Sequence, residues 1–230
     1  MYILVFYFIL LAVFVSLLSR WFGFRLSINF SIFFLFLSLC FSIFIFYEVV
    51  FKDYLCEIIL FDWFNLFSLY SPFILLFDKL SVSMLFLVLF ISFFIHLYAS
   101  NYMSHDPHIS RFFFYLSLFT FFMCLMVISG SLIQFFFAWE GVGLSSYLLI
   151  GFWYTRAEAN RAAMKAMIIN RFGDFGLYFA ILLIFVFYKT LLFTSLNAMA
   201  SILLYKKIFI NFFFFLFLYM ILFVFFYLLQ

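Results

Sequence analysis

Charged residues are scarce in this sequence, which has 12 lysines and arginines and 9 aspartates and glutamates among 230 residues. A soluble domain has about 25% charged residues. Here the charged fraction is 9%, and 71% of the residues are hydrophobic. A soluble core cannot cover that many apolar side chains, but a lipid bilayer can. The net charge of +3 is small and dispersed, which excludes a nucleic-acid-binding surface. We therefore predict a membrane protein.

Cysteine is also rare, because Cys40, Cys56 and Cys124 are the only three in the chain and lie far apart. This spacing excludes a disulfide framework and a cysteine metal site, so we interpret the thiols as packed side chains. The sequence also lacks a phosphate-binding loop, a nucleophile paired with a base, and a ligand set for haem or an iron–sulfur cluster. We expect no cofactor, no metal and no redox chemistry in this chain itself.

Long apolar runs make up most of the sequence. A helix that crosses about 30 Å of hydrocarbon needs about 20 apolar residues. This length predicts seven membrane-spanning helices, near residues 2–18, 30–51, 80–99, 112–130, 132–152, 163–187 and 208–229. The predicted fold class is an all-α polytopic membrane protein.

Two stretches between these spans are more polar. Residues 52–79 alternate acids with aromatic side chains, which favours an interfacial segment, a hairpin being one form of it, that lies against the helices outside the hydrocarbon core. Residues 188–207 are interpreted as an extramembrane linker. Alternating loops place five arginines on one side and five lysines on the other. Orientation is therefore weakly encoded, and we favour the arginine side as the interior.

The remaining polar residues concentrate in residues 139–176, where Glu140 has apolar runs on both sides. A carboxylate in hydrocarbon costs about 2.5–3.5 kcal/mol and is usually retained for ion or proton movement. Because desolvation disfavours its charged form, Glu140 is predicted to take up and release a proton near physiological pH. The alternative is a structural carboxylate held by a serine or a backbone group. Gly141 and Ser145 lie four residues apart and have small side chains, so we expect another helix to approach the predicted span 132–152 closely on this face.

The next span carries a stripe that changes from small to polar to acidic side chains. It consists of residues at steps of four, namely Ala162, Ala166, Asn170 and Asp174. Arg171 lies three residues before Asp174, so the two side chains are predicted to pair with each other.

Lys165 lies about two and a half turns before Asp174 and is expected to reach toward Glu140 from the adjacent helix. Arg161, closer to the helix end, is better explained as an interfacial anchor, which is also the alternative for Lys165 and Asp174. The candidate site therefore consists of Glu140, Asp174, Arg171 and Lys165, acting as a proton relay and its charge partners.

Three weaker candidates have structural explanations. Residues 105–108, with the sequence His-Asp-Pro-His, have histidines at a spacing that some metal sites use, but Pro107 in a short loop favours a surface turn. His96 is interpreted as a core residue rather than a relay. Glu48 is expected to reach the lipid headgroups.

A family resemblance is carried by the segment FFFAWEGVGLSSYLLIGFWYTRAEANRAAMKAMIINRFGDFG. It resembles the signature region of the subunit 5 family of mitochondrial NADH dehydrogenase (complex I), whose motifs are shared with multisubunit cation/proton antiporters. The resemblance covers about residues 77–187, and residues 1–51 match only in hydropathy. It divides the chain into membrane helices with an interfacial segment (1–76), an antiporter-like core (77–187), and a linker with a last apolar helix (188–230).

The resemblance implies a fold of two inverted repeats whose broken helices meet at the bilayer midplane. It implies that Glu140 is the family's buried glutamate, thought to take part in proton translocation. Arg171 and Asp174 match the functionally implicated pair of the NRxGDxG block, and no family role is carried onto Lys165.

The setting that the resemblance implies is the mitochondrial inner membrane. There the chain would be a multi-pass subunit of proton-pumping NADH:ubiquinone reductase, in contact with lipids and other membrane-arm subunits. FMN, iron–sulfur clusters and ubiquinone would be bound elsewhere in the complex.

The chain departs from the family near its end. Residues 208–229 contain no lysine and no GKSAQ-like sequence, whereas the family continues with a lysine-bearing helix, a second repeat and a lateral helix. We expect a split subunit whose remainder is a second chain, a truncated sequence being the other explanation. The alternative functions are a fragment of a multisubunit cation/proton antiporter and a non-conducting scaffold of the complex.

Overall fold

The computed structural model of the chain describes residues 1–66 and 69–203. This part is mostly helical, as predicted, with one two-stranded sheet. Its elements are α1 (Tyr2–Leu17), α2 (Ser19–Phe22), α3 (Phe24–Phe46), which continues into a π-helical stretch (Tyr47–Phe51), β1 (Cys56–Leu66), β2 (Leu69–Phe77), α4 (Lys79–Tyr102), α5 (Ile109–Val127), α6 (Leu132–Ile150), α7 (Ala157–Tyr188) and α8 (Phe193–Leu203).

Five helices of the described part are long and apolar enough to cross a bilayer, namely α3 with its π-helical extension, α4, α5, α6 and α7. The sixth, α1, is also apolar but has only 16 residues. A helix satisfies its backbone hydrogen bonds internally, which allows apolar side chains to face lipid on all sides. The six spans predicted before residue 188 are therefore confirmed as helices. The seventh predicted span, 208–229, lies outside the described residues.

Two helices begin earlier than their apolar runs predict. The first residue of α3 is Phe24 rather than residue 30, and α7 starts at Ala157 rather than at residue 163. The added turns carry Arg25, Glu158 and Arg161, which are exposed. Charges end an apolar run, but they do not end a helix when their side chains extend into the interfacial region.

The segment predicted to be interfacial forms an antiparallel hairpin, which confirms the hairpin form of that prediction, and its location at the membrane interface stays a prediction. In β2 every residue from Ser71 to Phe77 is buried. The backbone N–H of Leu76 donates to the carbonyl of Ile128 at 2.8 Å, and that of Gly130 donates to Ile74 at 3.0 Å. A Cβ atom on Gly130 would lie 2.7 Å from the Ile74 side chain, so glycine permits this close approach. The hairpin is thereby bonded to the α5–α6 turn.

The turn between α7 and α8 also forms backbone hydrogen bonds with the α5–α6 turn. The N–H of Leu132 donates to Leu191 at 2.9 Å, and the N–H of Phe193 donates to Gly130 at 3.1 Å. Within the segment predicted to be an extramembrane linker, 188–207, residues 193–203 form α8, and the location of the segment outside the membrane stays a prediction. This stretch has alanine, leucine and methionine and lacks glycine and proline, a composition that favours a helix.

The main apolar core lies between α1, α3, α4 and α5, with β2 closing one end; its members include Val5, Leu39, Leu75, Leu85 and Leu125. α6 contributes Ala138 to this core and packs on α5, and α7 packs on α6. Residues on both sides of position 76 share the core, so the division into 1–76, 77–187 and 188–230 stays a prediction about resemblance.

The two ends of the bundle differ in charge because successive long helices alternate in direction. One end, called the arginine end, carries Arg20, Arg25, Arg111, Arg156 and Arg161; the other, called the hairpin end, carries the hairpin with Lys52, Lys79 and Lys189. At the hairpin end Lys79 forms an ion pair with Asp53.

Glu48, which was predicted to reach the headgroups, also lies at the hairpin end. Its carboxylate accepts a hydrogen bond of 3.1 Å from the hydroxyl of Tyr2, at the first turn of α1.

Candidate functional site

Glu140 lies near the middle of α6, eight residues after Leu132 and ten before Ile150. At 1.5 Å per residue it is about 12 Å from the start of the helix and about 15 Å from its end. Ser131 caps the start of the helix, and its hydroxyl accepts a hydrogen bond of 3.3 Å from the backbone N–H of Gln134. This start fixes the position of Glu140 along the helix, so that a bilayer spanned by the whole of α6 would have Glu140 near its centre.

Arg171 of α7 is the partner of Glu140. Its Nη1 lies 3.4 Å from Oε1 of Glu140. The Arg171 side chain is 65% exposed and that of Glu140 is 42% exposed. A guanidinium–carboxylate contact is charge-assisted and gains strength where water is scarce. The carboxylate is thus held by a cation, and the alternative of a serine or backbone group is not what the structure shows.

Asp174 has a different partner from the one predicted. It is 8% exposed, and its Oδ1 accepts a hydrogen bond of 2.9 Å from the indole Nε1 of Trp139. The predicted Arg171–Asp174 pair is therefore wrong for this structure. On α6, Trp139 offers a hydrogen-bond donor and Glu140 offers an acceptor. Pairing with Asp174 and Arg171 on α7 satisfies both. A pair within α7 would leave Glu140 without a cation.

A cavity of about 250 Å³ adjoins these contacts, between α5, α6 and α7. Its polar wall consists of Glu140, Asn170, Arg171 and Asp174, and its apolar wall includes Phe122 and Phe137. The volume has room for several water molecules. We call these four polar residues with Trp139 the α6–α7 cluster.

The close helix approach predicted at Gly141 is present. The ring of Phe122 on α5 occupies the space where a Cβ atom of Gly141 would lie. Ser145 is fully buried, and its hydroxyl donates to the carbonyl of Gly141 at 2.9 Å. The small face lets α5 pack tightly against α6 beside Glu140.

Lys165 does not contact the α6–α7 cluster. Its side chain is exposed, and it forms no ion pair or hydrogen bond with any residue of the described ranges. It lies six residues before Arg171 on α7, or about 9 Å along the axis. The expected reach toward Glu140 is therefore not what the structure shows, because Arg171 occupies that position.

The contact stripe of α7 is also shifted from the one predicted. Ala163 and Asp174 are the buried residues of α7, and Met167 and Asn170 line the cavity between them. A line at steps of four drifts round a helix of 3.6 residues per turn, whereas steps of four, three and four stay on one face. The stripe therefore starts at Ala163 rather than Ala162.

The weaker candidates occupy structural positions. Residues 105–108 form an exposed turn between α4 and α5. His96 is fully buried, and its Nδ1 lies 2.7 Å from the carbonyl oxygen of Ser92, which agrees with its assignment to the core. In the part of the chain that the structure describes, no three His, Cys, Asp or Glu side chains come together as a metal site.

Trp139 is the member of the cluster that sequence reasoning missed. Its indole offers a single N–H donor, which needs a partner in apolar surroundings. The sequence offered one indication of this role, namely the position of Trp139 next to Glu140. A helix that packs against α6 at Glu140 is also close enough to contact the long side chain of Trp139.

The long apolar helices and the ion pair at mid-height define a polytopic membrane protein with a polar site inside the bilayer. Residues 63–113 match the sequence family described as NADH-Ubiquinone oxidoreductase (complex I), chain 5 N-terminus. Residues 129–228 match the family described as NADH:quinone oxidoreductase/Mrp antiporter, TM. Together these matches cover more than half of the chain, which belongs to this antiporter-like family of complex I chain 5.

Curated relatives carry the same name. The chain is 53% identical over 191 residues to NADH-ubiquinone oxidoreductase chain 5 of Acanthamoeba castellanii, which covers 83% of the chain and 28% of that protein. It is 46% identical over 178 residues to the protein of that name from Dictyostelium discoideum, which covers 77% of the chain and 27% of that protein. The chain thus spans less than a third of the length of these relatives.

Two solved structures share the fold. One belongs to the membrane-bound sulfane sulfur reductase, an archaeal respiratory membrane complex, with a TM-score of 0.71 and 19% identity over 82% of this chain and 38% of the other. The second is the Mrp complex from Dietzia sp. DQ12-45-1b, with a TM-score of 0.66 and 18% identity over 82% of this chain and 20% of the other.

Proposed function

We propose that the chain is the N-terminal part of a proton-translocating membrane-arm subunit of NADH:ubiquinone oxidoreductase in the mitochondrial inner membrane. It contributes part of a proton half-channel, and FMN, iron–sulfur clusters and ubiquinone belong to other parts of the complex. The observation that carries the proposal is the Glu140–Arg171 ion pair at mid-height of α6, beside a cavity. The identity to proteins named complex I chain 5 supports the setting.

In this proposal Glu140 is the protonatable relay and Arg171 is its charge partner. A proton that reaches Glu140 removes the negative charge and weakens the contact with Arg171. Arg171 then has a second carboxylate within reach, because Asp174 lies one turn further along the same face of α7. The Trp139 hydrogen bond holds that second carboxylate in place. Lys165 contributes only a more distant positive charge.

The remainder of the antiporter-like unit is also part of the proposal. The family pairs its buried glutamate with a lysine on a later helix, so a complete half-channel needs a basic group outside these 230 residues. We infer that a second chain supplies it, in contact with the other membrane-arm subunits.

The test is proton pumping by the complex that contains Glu140→Gln. Glutamine keeps the size of the side chain and an oxygen that accepts from Arg171, but it cannot change its charge. We expect fewer protons pumped per NADH oxidised, with assembly retained. The matched control is Glu158→Gln, since Glu158 is an exposed glutamate paired with Arg161 at 3.5 Å in the first turn of α7. If the ratio is the same in wild type and both variants, Glu140 is not a relay.

That result would favour the non-conducting scaffold, which predicts failed assembly without the chain but normal pumping in Glu140→Gln. The second candidate is a fragment of a multisubunit cation/proton antiporter, which the fold shared with the Mrp complex supports. Purification of the chain with its partners decides between them. A complex I subunit co-purifies with NADH-oxidising activity and an iron–sulfur spectrum, whereas an antiporter subunit does not.

A further inference from the structure

A second cavity lies at the arginine end, between the start of α5, the end of α6 and the start of α7. Its volume is about 200 Å³, and it shares no lining residue with the cavity beside Glu140. Its lining combines one cationic side chain with aromatic and amide groups, including Arg111, Tyr115, Tyr147, Phe152, Tyr154 and Asn160.

Arg111 is the charged group of this cavity, and its charge is not neutralised by the described residues. Its Cζ lies 5.3 Å from the ring centre of Phe152, which is 7% exposed. The ring orients the guanidinium but supplies no anion. The Nε atom is buried without a hydrogen-bond partner among the described residues, and no ion pair of Arg111 occurs there. A buried donor without a partner is costly and calls for an acceptor.

The surroundings of Arg111 favour an anion as that acceptor. No carboxylate lines the cavity. Nearby Glu158 pairs with Arg161, and the amide of Asn160 donates to the carbonyl of Tyr154 at 2.7 Å. The hydroxyls of Tyr115 and Tyr147 have no hydrogen-bond partner within the described residues and can donate to a bound group. The cavity is therefore lined by one arginine and three tyrosines, and two of these tyrosines, Tyr115 and Tyr147, lie on the same membrane helices α5 and α6 that form its walls.

The depth of the cavity indicates what that ligand is. It lies at the ends of three membrane helices, where Arg156 places its Cζ 4.8 Å from the ring centre of exposed Trp153. Arginines interleaved with tyrosine and tryptophan mark the level of lipid headgroups. The anions concentrated at this level are phospholipid phosphates, and a planar guanidinium binds phosphate through two parallel N–H donors.

We propose that this cavity binds the phosphate group of an anionic phospholipid, with Arg111 as the cationic ligand and Tyr115 and Tyr147 as further donors. The site is independent of proton translocation, because it requires only that the arginine end lies at a membrane surface. It would fix the α5–α6–α7 corner to the lipid headgroup layer.

The experiment uses the complex that contains the chain, in nanodiscs of phosphatidylcholine with a minor fraction of phosphatidylglycerol that carries a photoreactive diazirine near its headgroup. After irradiation, mass spectrometry maps the crosslinked peptides. We expect crosslinks within residues 111–115 and 147–154 of the wild type. Arg111→Gln is expected to reduce their yield roughly tenfold at limiting probe, because a charge-assisted hydrogen bond is lost. Arg111→Lys keeps the charge without the planar fork and should fall between the two.

The matched control is Arg25→Gln, since Arg25 lies at the same end with its Cζ 5.7 Å from the Phe24 ring centre but does not line this cavity. It should leave the crosslinks unchanged. Equal crosslinking by wild type and Arg111→Gln would overturn the proposal.

Two further arms use the wild type alone and remain decisive if the variants fail to assemble. A phosphatidylcholine probe with the same diazirine should label these peptides much less, and equal labelling would overturn the preference for an anionic lipid. Inorganic phosphate in excess should not displace the phosphatidylglycerol probe. Displacement would assign the site to free phosphate and overturn the lipid as its ligand.

Discussion

Trp139 and Glu140 are neighbours on α6, yet one is a hydrogen-bond donor to α7 and the other is an acceptor. The indole of Trp139 donates to the carboxylate of Asp174, and the carboxylate of Glu140 accepts from the guanidinium of Arg171. The crossed arrangement leaves neither acid of the cluster without a donor. Since Asp174 is 8% exposed, its hydrogen bond with the indole matters more than it would at a surface.

The first prediction follows from that bond and concerns Trp139→Phe. Phenylalanine keeps most of the apolar ring but removes the N–H, so the buried carboxylate of Asp174 loses its donor, at a cost of about 1–3 kcal/mol. We expect a lower midpoint for thermal inactivation of the complex and less proton pumping per NADH.

Trp153→Phe is the control for this change. Trp153 is 38% exposed against 40% for Trp139 and lies in the α6–α7 turn, where it forms no hydrogen bond through its indole within the described residues. A fall of equal size in both variants would show that ring volume matters and the N–H does not.

The types of residue in the cluster could be predicted from the sequence, but their pairing could not. Glu140, Arg171 and Asp174 stand out because each is a charge within an apolar run. Arg171 and Asp174 are three residues apart, which predicts a local pair. Only the packing of α7 on α6 shows that each has a partner on the other helix. Lys165 has the same type of charge as Arg171, yet it lies six residues before Arg171 on α7, away from the contact with Glu140.

At the scale of whole helices, the approach of α5 to α6 keeps the cluster in place. Two glycines of α6 illustrate this in different ways. Gly141 has no room for a side chain because the Phe122 ring lies against it, whereas a Cβ atom on Gly143 would meet only Asn170 Nδ2 at 3.6 Å. Packing against Phe122 therefore requires glycine at position 141, whereas an alanine at position 143 would make an ordinary van der Waals contact with Asn170.

The second prediction compares Gly141→Ala with Gly143→Ala. The methyl group at position 141 displaces Phe122, and overpacking of this kind costs about 1–3 kcal/mol. At position 143 the methyl group fits, and alanine also has the better helix propensity. We expect Gly141→Ala to lower the amount of assembled complex and its thermal stability, and Gly143→Ala to leave both near wild type.

A double variant tests the cause. Phe122→Leu removes part of the ring that collides with the new methyl group, so Phe122→Leu with Gly141→Ala should recover stability relative to Gly141→Ala alone. Failure to recover any stability, or equal damage at position 143, would contradict the packing explanation.

Helices were predictable as elements because an apolar run of 20 residues in lipid has few other structures available. Their ends were less predictable. At Phe24 and Ala157 the helix extends past the apolar run, since arginine and glutamate side chains tolerate a helical backbone outside the hydrocarbon. α8 was interpreted as a linker for a similar reason, because its serine and asparagine lower the hydropathy without stopping a helix.

At the scale of the whole chain, the described part has three levels with different chemistry. The arginine end carries the cavity of Arg111, the α6–α7 cluster lies at mid-height, and the hairpin end is closed by backbone hydrogen bonds from β2 to the α5–α6 turn and from there to the α7–α8 turn. The hairpin end is thus tied together next to the start of α6.

The third prediction concerns orientation and uses the native Cys56 as a reporter. Cys56 begins β1 at the hairpin end and is partly exposed, whereas Cys124 is fully buried and Cys40 lies within α3. The two sides carry equal numbers of basic residues, and the orientation put to the test is the one favoured in the sequence analysis, with the arginine end as the interior. We therefore expect a membrane-impermeant maleimide to label Cys56 from the outer side of sealed vesicles, as measured by peptide mapping.

Ser104→Cys supplies the opposite reporter, since Ser104 is exposed in the turn between α4 and α5 at the arginine end. This thiol should react only when vesicles are opened or inverted, and Cys56→Ser should abolish the outer labelling. If the thiol at position 104 is labelled from outside and Cys56 is protected, the chain has the opposite orientation in the membrane. An inverted chain would place the phosphate cavity of Arg111 in the outer leaflet, so the photoreactive lipid should then crosslink only when it is added to that leaflet.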